Sequence, residues 1–358
     1  MFLSDTIGHA SIRQALINAF AQQRVHHAYL VAGPDGIGKR RIAMGFAALI
    51  NCIGDPHVDS ESRRVGGCGD CRSCRLIEKS LNDGVTAHPD IPYIVPDGTQ
   101  IKIEQIREIL RQVPFPPIEA AFRVIIIDPA EAMGDAAANA ILKTLEEPSS
   151  RTRFILLSSR PNALLTTIRS RCQILSCQPL SHDDIRTFLS QRAPELTGED
   201  LARTTRWAEG RPARALALLE DTAAAEIEAL MMDLLAIEAG DSVAAFSFAN
   251  TLYEHRKQLT LIVESLQRIY RDLLLIRTGS APQVPVVNTH LIPQLTRIAE
   301  QLGTEAILRR LDLITETAYG IEKRHINPRM SFERLVLGLT APAGAEAFQL
   351  GLAGQLYR

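Results

Sequence analysis

No apolar run of about 18 residues interrupts the 358-residue chain, so the sequence offers no membrane-spanning helix. Its first residues, MFLSDTIGHA, carry neither the basic nor the apolar region of a secretion signal, and the expected location is the cytoplasm. An excess of one charge is equally lacking: 39 basic against 41 acidic side chains leave a net charge of −2. No global field therefore marks a nucleic-acid or membrane binder, and only local basic patches stay open. Aromatic residues make up 5%, and none falls between residues 47 and 92. Internal repeats and low-complexity tracts are missing as well. What is present, 46% hydrophobic and 22% charged residues, is an ordinary globular balance that argues against disorder. The length suits two or three domains.

Short apolar runs recur through the first half: HAYLVA (27–32), IPYIV (91–95), RVIIID (123–128), RFILLSS (153–159) and CQILSC (172–177). Helical patterns separate them, of which IKIEQIREILRQV (101–113) and AAANAILKTLEE (136–147) are the clearest. The second is expected to start from Asp135 as N-cap and to stop at Pro148. Near-continuous apolar strands alternating with helices predict a parallel sheet covered on both faces, an α/β domain over residues 1–178. Beyond QPLS (178–181) the strand signal ends, and the rest reads as all-α. SHDDIRTFLSQR (181–192) opens a small helical domain over 179–238, with Ser181 or His182 near the cap and acids in the first turn. A last helical block covers 239–345, and 346–358 are read as a C-terminal tail. TLIVESLQRIYRDLLLIR (260–277) is its strongest helix, and the two prolines of APQVPVVN (281–288) mark a surface loop.

GPDGIGKR (33–40) lies between the first strand and a helical run, the context a phosphate-binding loop requires. Gly33, Gly36 and Gly38 let backbone N–H groups approach phosphates, the helix that follows adds its positive end, and Lys39 supplies a point charge. The pattern next requires Ser or Thr, whose hydroxyl holds Mg²⁺, but Arg40 stands there and would repel a cation. Asp128, at the end of RVIIID, suits a second Mg²⁺ contact or a plain strand cap, and Pro129 follows where a water-polarising Glu is needed. Glu131 lies three residues past Asp128 and faces another direction. Two independent departures predict that nucleotide hydrolysis is lost, with ATP or ADP binding left open.

Four of the six cysteines, Cys52, Cys68, Cys71 and Cys74, read C-x15-C-x2-C-x2-C. In a reducing compartment such clustering favours metal over disulfides. Four soft ligands suit tetrahedral Zn²⁺ in a closed structural site, and the count also admits an iron–sulfur cluster. Cys52 stands apart in spacing, with His57 as a possible substitute, whereas His88 in AHPD reads as a turn residue. Cys172 and Cys177 are expected to be buried, inert sheet residues.

HHAYLVAGPDGIGK (26–39), RVIIIDPAEAMGDAAANAILKTLEEP (123–148) and TTIRSRCQIL (166–175), with a cysteine cluster between the first two, resemble the clamp-loader family of the AAA+ ATPases. Specific motifs cover most of the first 215 residues; beyond them the likeness rests on helical character and NPRMSFERLVLGL (327–339). The resemblance implies an AAA+ parallel-sheet module with a zinc insert at about 52–80, a helical lid and a helical collar that holds a ring together. It implies a hetero-pentameric ring with motor subunits and a delta subunit, which opens a sliding clamp and loads it on primed DNA for a replicative polymerase. It also implies a member without ATPase activity of its own. Arg171 in Ser170-Arg171-Cys172 matches the arginine that such subunits extend into a neighbour's ATP site, where a guanidinium neutralises charge building on the γ-phosphate. Ser158 or Ser159 occupies the place of the polar sensor, and Arg214 in GRPARAL (210–216) that of the nucleotide-sensing lid arginine.

Two other readings compete. An ATP-hydrolysing motor subunit of the same or a related machine would be favoured by Ser or Thr after Lys39, or by Glu after Asp128; neither is present. A zinc-dependent nucleic-acid module would use Arg63, Arg64, Arg72, Arg75 and Lys79, but the region has no aromatic to stack a base.

Overall fold

The computed structural model describes residues 3, 6–54, 57–58, 65–84, 86–220, 223–280 and 286–342. Residues 281–285 of the proline loop and the tail 346–358 therefore lie outside the described residues, as do the side chains of His57, Arg63 and Arg64. The chain divides into two compact units, Met1–Ala217 and Leu218–Arg358.

In the first unit, α1 (Ala10–Ala21) precedes β1 (Ala28–Ala32), and the glycine loop leads into α2 (Lys39–Ile50). The cysteine segment contributes a two-stranded antiparallel ribbon, β2 (His57–Val58) with β3 (Val65–Gly66), and α3 (Arg72–Asp83). There follow β4 (Tyr93–Ile94), α4 (Ile103–Leu110), β5 (Arg123–Ile127), α5 (Asp135–Glu146), β6 (Thr152–Ser158), α6 (Thr166–Arg169) and β7 (Gln173–Ser176). Each expected apolar run supplies one strand of a single five-stranded parallel sheet, in the order β4-β5-β6-β1-β7. Each residue of β1 and β5 is buried, because helices cover both faces. Ile125, Ile127 and Leu156 pack with Ile106 of α4 and Ile141 of α5 on one side. Tyr29, Val31 and Ile155 meet Leu16 of α1 and Ile42 and Phe46 of α2 on the other. Each fully buried side chain of this size contributes about 1.5–3 kcal/mol.

Helix α5 departs from expectation at its start. Its N-cap is Gly134, extended at φ −66° and ψ 159°, and Asp135 is the first helical residue. There its charge favours the positive helix end without making a cap hydrogen bond. Helix α7 (His182–Arg192) has the expected box: Ser181 Oγ accepts from Asp184 N–H while the Asp184 carboxylate accepts from Ser181 N–H. Helices α8 (Gly198–Ala208) and the first turn of α9 (Pro212–Glu220) complete this unit.

The second unit is helical throughout its described residues: α10 (Ala223–Ala236), α11 (Ser242–Glu254), α12 (Leu259–Arg277), α13 (Ile292–Gln301), α14 (Thr304–Arg324) and α15 (Pro328–Thr340). The apolar stripe of α12, with Ile262, Leu266 and Leu273 buried, packs against α10, α13 and α14, and α15 packs on α11. Asp241 and Asn327 cap α11 and α15 by accepting two backbone N–H bonds each. Asp272, fully buried, accepts from Val287 N–H, Asn288 N–H and Asn288 Nδ2, which fastens the chain after the proline loop onto α12.

Candidate functional site

The glycine loop folds as its pattern requires. Gly36 and Gly38 have φ of 76° and 104°, a region costly to any residue with a Cβ, and Gly38 is the N-cap of α2. Lys39 is buried beneath the loop, its Nζ donating to Gly33 O at 2.7 Å and Pro34 O at 3.0 Å and pairing with Asp35 at 3.3 Å. A cavity of about 730 Å³ opens over the loop. Asp35, Lys39, Arg40, Arg41, Asp128 and Arg192 bring charge to it, while Ile7, Phe188 and Leu216 give an apolar wall. Ala213 N–H on α9 donates to Gly36 O at 3.1 Å, which holds the helix end against the loop. Arg214, the expected lid arginine, pairs with Glu209 at 3.4 Å.

Arg40 turns away from the loop. Its guanidinium donates to Ser80 O at 2.6 Å, at the end of α3, and stacks 4.4 Å over the ring of Tyr93. The Tyr93 hydroxyl in turn donates to Asp128 Oδ2 at 2.5 Å. Burial first, and then that hydrogen bond, push Tyr93 well above its ordinary value, so the phenol keeps its proton. Asp128 thus stands at the strand end where the sequence places it, but with one oxygen committed to Tyr93. Glu131 is engaged elsewhere: Oε1 accepts from Ser159 N at 2.9 Å, Ser159 Oγ at 2.7 Å and Arg160 N at 3.1 Å. Burial alone would raise its carboxyl, and the hydroxyls of Ser159 and Ser158 with the backbone donors outweigh that and lower it. Ser158, fully buried, accepts from Arg160 N. The donor set fits Mg²⁺ poorly, since Arg40 provides no oxygen and Asp128 is already bonded.

The four clustered cysteines come together, their Sγ atoms all within 4.8 Å of one another. An ion at ~2.3 Å from each sulfur sets them about 3.8 Å apart, so the cluster stands within about 1 Å of ligating geometry. Backbone N–H groups of Cys68, Cys71 and Cys74 donate to the sulfurs of Cys52, Cys68 and Cys71 at 3.2, 3.3 and 3.4 Å. Burial would raise Cys71, but donors from Cys74, Ile53 and Gly54 outweigh it and lower the thiol to about 6, whereas burial raises Cys52 and Cys74. Gly67 permits the packing: a Cβ there would lie 2.4 Å from Cys74 Sγ. The residues fit a tetrahedral soft-metal site, and a set of four protein ligands leaves no open position for catalysis. His88 lies in a turn, fully buried, with Nδ1 accepting from Asp90 N–H, so that Nε2 carries the proton toward Ser73 Oγ at 3.1 Å. Burial pushes Cys172 and Cys177 up to about 12 and about 11.

Arg171 follows α6, beside a second cavity of about 550 Å³ lined by His26, His27, Glu146 and Gln173. It is one-third exposed and holds Glu146 at 2.7 Å and Thr167 O at 2.8 Å. Arg169 points to Asn162 Oδ1, at 2.6 Å. Nothing in the sequence pattern indicated the partners Tyr93 and Glu146; both occupy ordinary positions in a strand and a helix, and only the tertiary fold brings them to Asp128 and Arg171.

Residues 8–181 match the family described as DNA polymerase III, delta subunit. The chain belongs to that family. It is 34% identical to DNA polymerase III subunit delta' of Pseudomonas aeruginosa over 203 residues, 56% of this chain and 58% of the relative. The match thus spans little more than half the length of that relative. A delta' subunit of Bacillus subtilis is 28% identical over 92% of this chain and 95% of its own. Among solved structures, a gamma subunit-related protein of Thermotoga maritima covers 91% of this chain and 98% of its own at 18% identity, with a TM-score of 0.45. The parallel sheet with a phosphate loop between β1 and α2 is the AAA+ architecture the sequence leads one to expect. No described helix is long and apolar enough to cross a membrane.

Proposed function

We propose that this chain is a subunit of the DNA polymerase III clamp loader that hydrolyses no ATP itself and completes a neighbour's ATP site with Arg171. Its partners are motor subunits and a delta subunit in a five-membered ring, which opens the sliding clamp and places it on primed DNA. Residues 1–178 form the AAA+ module, 179–238 the lid and 239–345 the collar in this reading.

One observation carries the silent-subunit reading: Arg40 occupies the hydroxyl position and Tyr93, under its guanidinium, takes an oxygen of Asp128. Glu131 bonds Ser159 and Arg160 rather than standing free to polarise water. Cys52, Cys68, Cys71 and Cys74 would hold Zn²⁺, which supplies folding energy to the insert when bound. Arg171 supports the donor role by its exposure. Its ion pair with Glu146, itself half-exposed, costs only about 0–1 kcal/mol to break. A guanidinium delivered in trans contributes about 10³–10⁵-fold in rate, so the exchange favours the phosphate.

Steady-state ATPase of the reconstituted ring tests this, with wild type, Arg171→Ala and an Arg169→Ala control. The expected result is no turnover by the isolated chain, a large loss with Arg171→Ala and little change with Arg169→Ala. Turnover by the isolated chain that Lys39→Ala abolishes would identify a motor subunit instead.

A further inference from the structure

The cleft over the glycine loop keeps most of what a polyphosphate needs and lacks what its usual metal needs. Among the charged side chains that line it, Lys39, Arg40, Arg41 and Arg192 outnumber Asp35 and Asp128. The backbone of Gly36 and Gly38 and the start of α2 supply N–H donors and a positive helix end. Its volume of about 730 Å³ falls in the range of small-molecule and cofactor sites, about 300–1,000 Å³. The apolar wall of Ile7, Phe188 and Leu216 offers packing for a base.

At the metal position the cation is already part of the chain. Arg40 replaces the coordinating hydroxyl, and its guanidinium is fixed on Tyr93 and on Ser80 O. Its Nε is buried and has no partner in the protein. Asp128, the remaining carboxylate, is bonded by Tyr93. A divalent ion entering here would face a fixed positive charge and would have to displace a phenol from its only side-chain ligand. A phosphate oxygen meets the reverse: a permanent cation with donor capacity left over, beside Lys39. Lys39 Nζ now binds carbonyls of its own loop, contacts that a phosphate oxygen can replace.

We infer that the cleft binds a nucleoside di- or triphosphate without a divalent cation, with Arg40 standing in for Mg²⁺. Binding of this kind leaves the phosphates held but without a metal to support transfer. It gives the ring a subunit whose nucleotide occupancy does not depend on Mg²⁺. The inference rests on reading residues 33–40 as a phosphate loop and does not depend on Arg171.

The test is equilibrium binding of a fluorescent ADP or ATP analogue to the full chain, in EDTA and in excess Mg²⁺. The expected result is the same Kd in both conditions, weakened about tenfold or more by Lys39→Ala. Arg40→Ser should weaken binding in EDTA and make it respond to Mg²⁺; Arg40→Lys, which keeps the charge, should retain binding in EDTA. Circular dichroism shows that each variant is folded, and the wild-type comparison needs no variant. Wild-type binding that appears only with Mg²⁺, no binding in either condition, or binding indifferent to Lys39→Ala would each overturn the inference. None of those outcomes alters the ATPase of the reconstituted ring on which the Arg171 reading depends, so the two fail separately.

Discussion

Asp90→Asn should destabilise the first unit by more than any surface change in it. The Asp90 carboxylate is fully buried and accepts from three consecutive backbone groups, Ile118 N at 2.7 Å, Glu119 N at 2.8 Å and Ala120 N at 3.0 Å. It also faces Arg123, itself buried, at 3.6 Å. Arg123 holds the same loop from the other side through the carbonyls of Gln112, Phe115 and Pro116. An amide in place of the carboxylate turns an NH₂ toward at least one of these N–H donors and leaves the guanidinium without its counter-charge. Hydrogen bonds to a charged acceptor contribute ~1.5–3 kcal/mol each, and breaking one side of a buried pair costs ~3–5 kcal/mol. The expected loss is about 3–5 kcal/mol, which for a unit of this size lowers Tm by roughly 10 °C. Thermal and urea melts of the full chain measure it. The pH dependence adds a second signature. Burial alone would raise the Asp90 carboxyl, and the three N–H donors outweigh it and hold the group below its ordinary value of 3.8. Its stabilisation is therefore complete above pH 3.8 and is lost as pH falls through the lower folded value, so wild type and variant should converge in acid. A shift below about 1 kcal/mol at neutral pH would refute the reasoning, because it would mean the loop finds other acceptors.

Two further outcomes are expected. Cys74→Ser should abolish binding of about one equivalent of Zn²⁺ per chain and speed proteolysis within 52–84, read by metal analysis and limited digestion; unchanged metal content would rule out the four-sulfur site. His88, held neutral chiefly by burial and lowered from 6.5 although Glu119 and Asp90 pull it up, should contribute to acid sensitivity. The unfolded chain takes up a proton near pH 6.5 and the folded chain only at lower pH, so stability falls as pH drops below 6.5. His9 and His27 are lowered likewise and share the effect, and His88→Gln should flatten the slope of urea midpoint against pH in part.

The strands were legible because parallel strands buried on both faces are written as unbroken apolar runs, and each of the five runs became one strand. Their order was not, since β6 inserts between β5 and β1 and no local signal encodes which neighbour a strand takes. The ligand spacing around Cys68, Cys71 and Cys74 is itself local, set by a tight turn and the first turn of α3, so it can be read directly. Cys52 joins them from the far end of α2, which only packing decides. The helix start at Asp135 was misplaced by one residue because Asp is favoured both as a cap and in the first turn. Arg40 was visible as a departure, but its partners Ser80 and Tyr93 belong to elements 40 and more residues away.

Those partners explain why an arginine, and not merely some residue other than Ser or Thr, follows Lys39. Helices α2 and α3 pack together and are joined at both ends. At one end Cys52, just past α2, meets Cys71 and Cys74 at the start of α3. At the other, Arg40 in the first turn of α2 reaches Ser80 O in the last turn of α3. Carbonyls of a last helical turn have no partner within their own helix and carry the negative end of its dipole, so a guanidinium is the favoured donor there. A Ser or Thr hydroxyl at position 40 is too short for that span and would leave the carbonyl to water or unbonded. The same side chain cannot both coordinate a metal at the loop and close the helix pair. In this chain the insert and the glycine loop are therefore one mechanical piece, and losing the metal-coordinating hydroxyl is the same event as fastening α3 to α2.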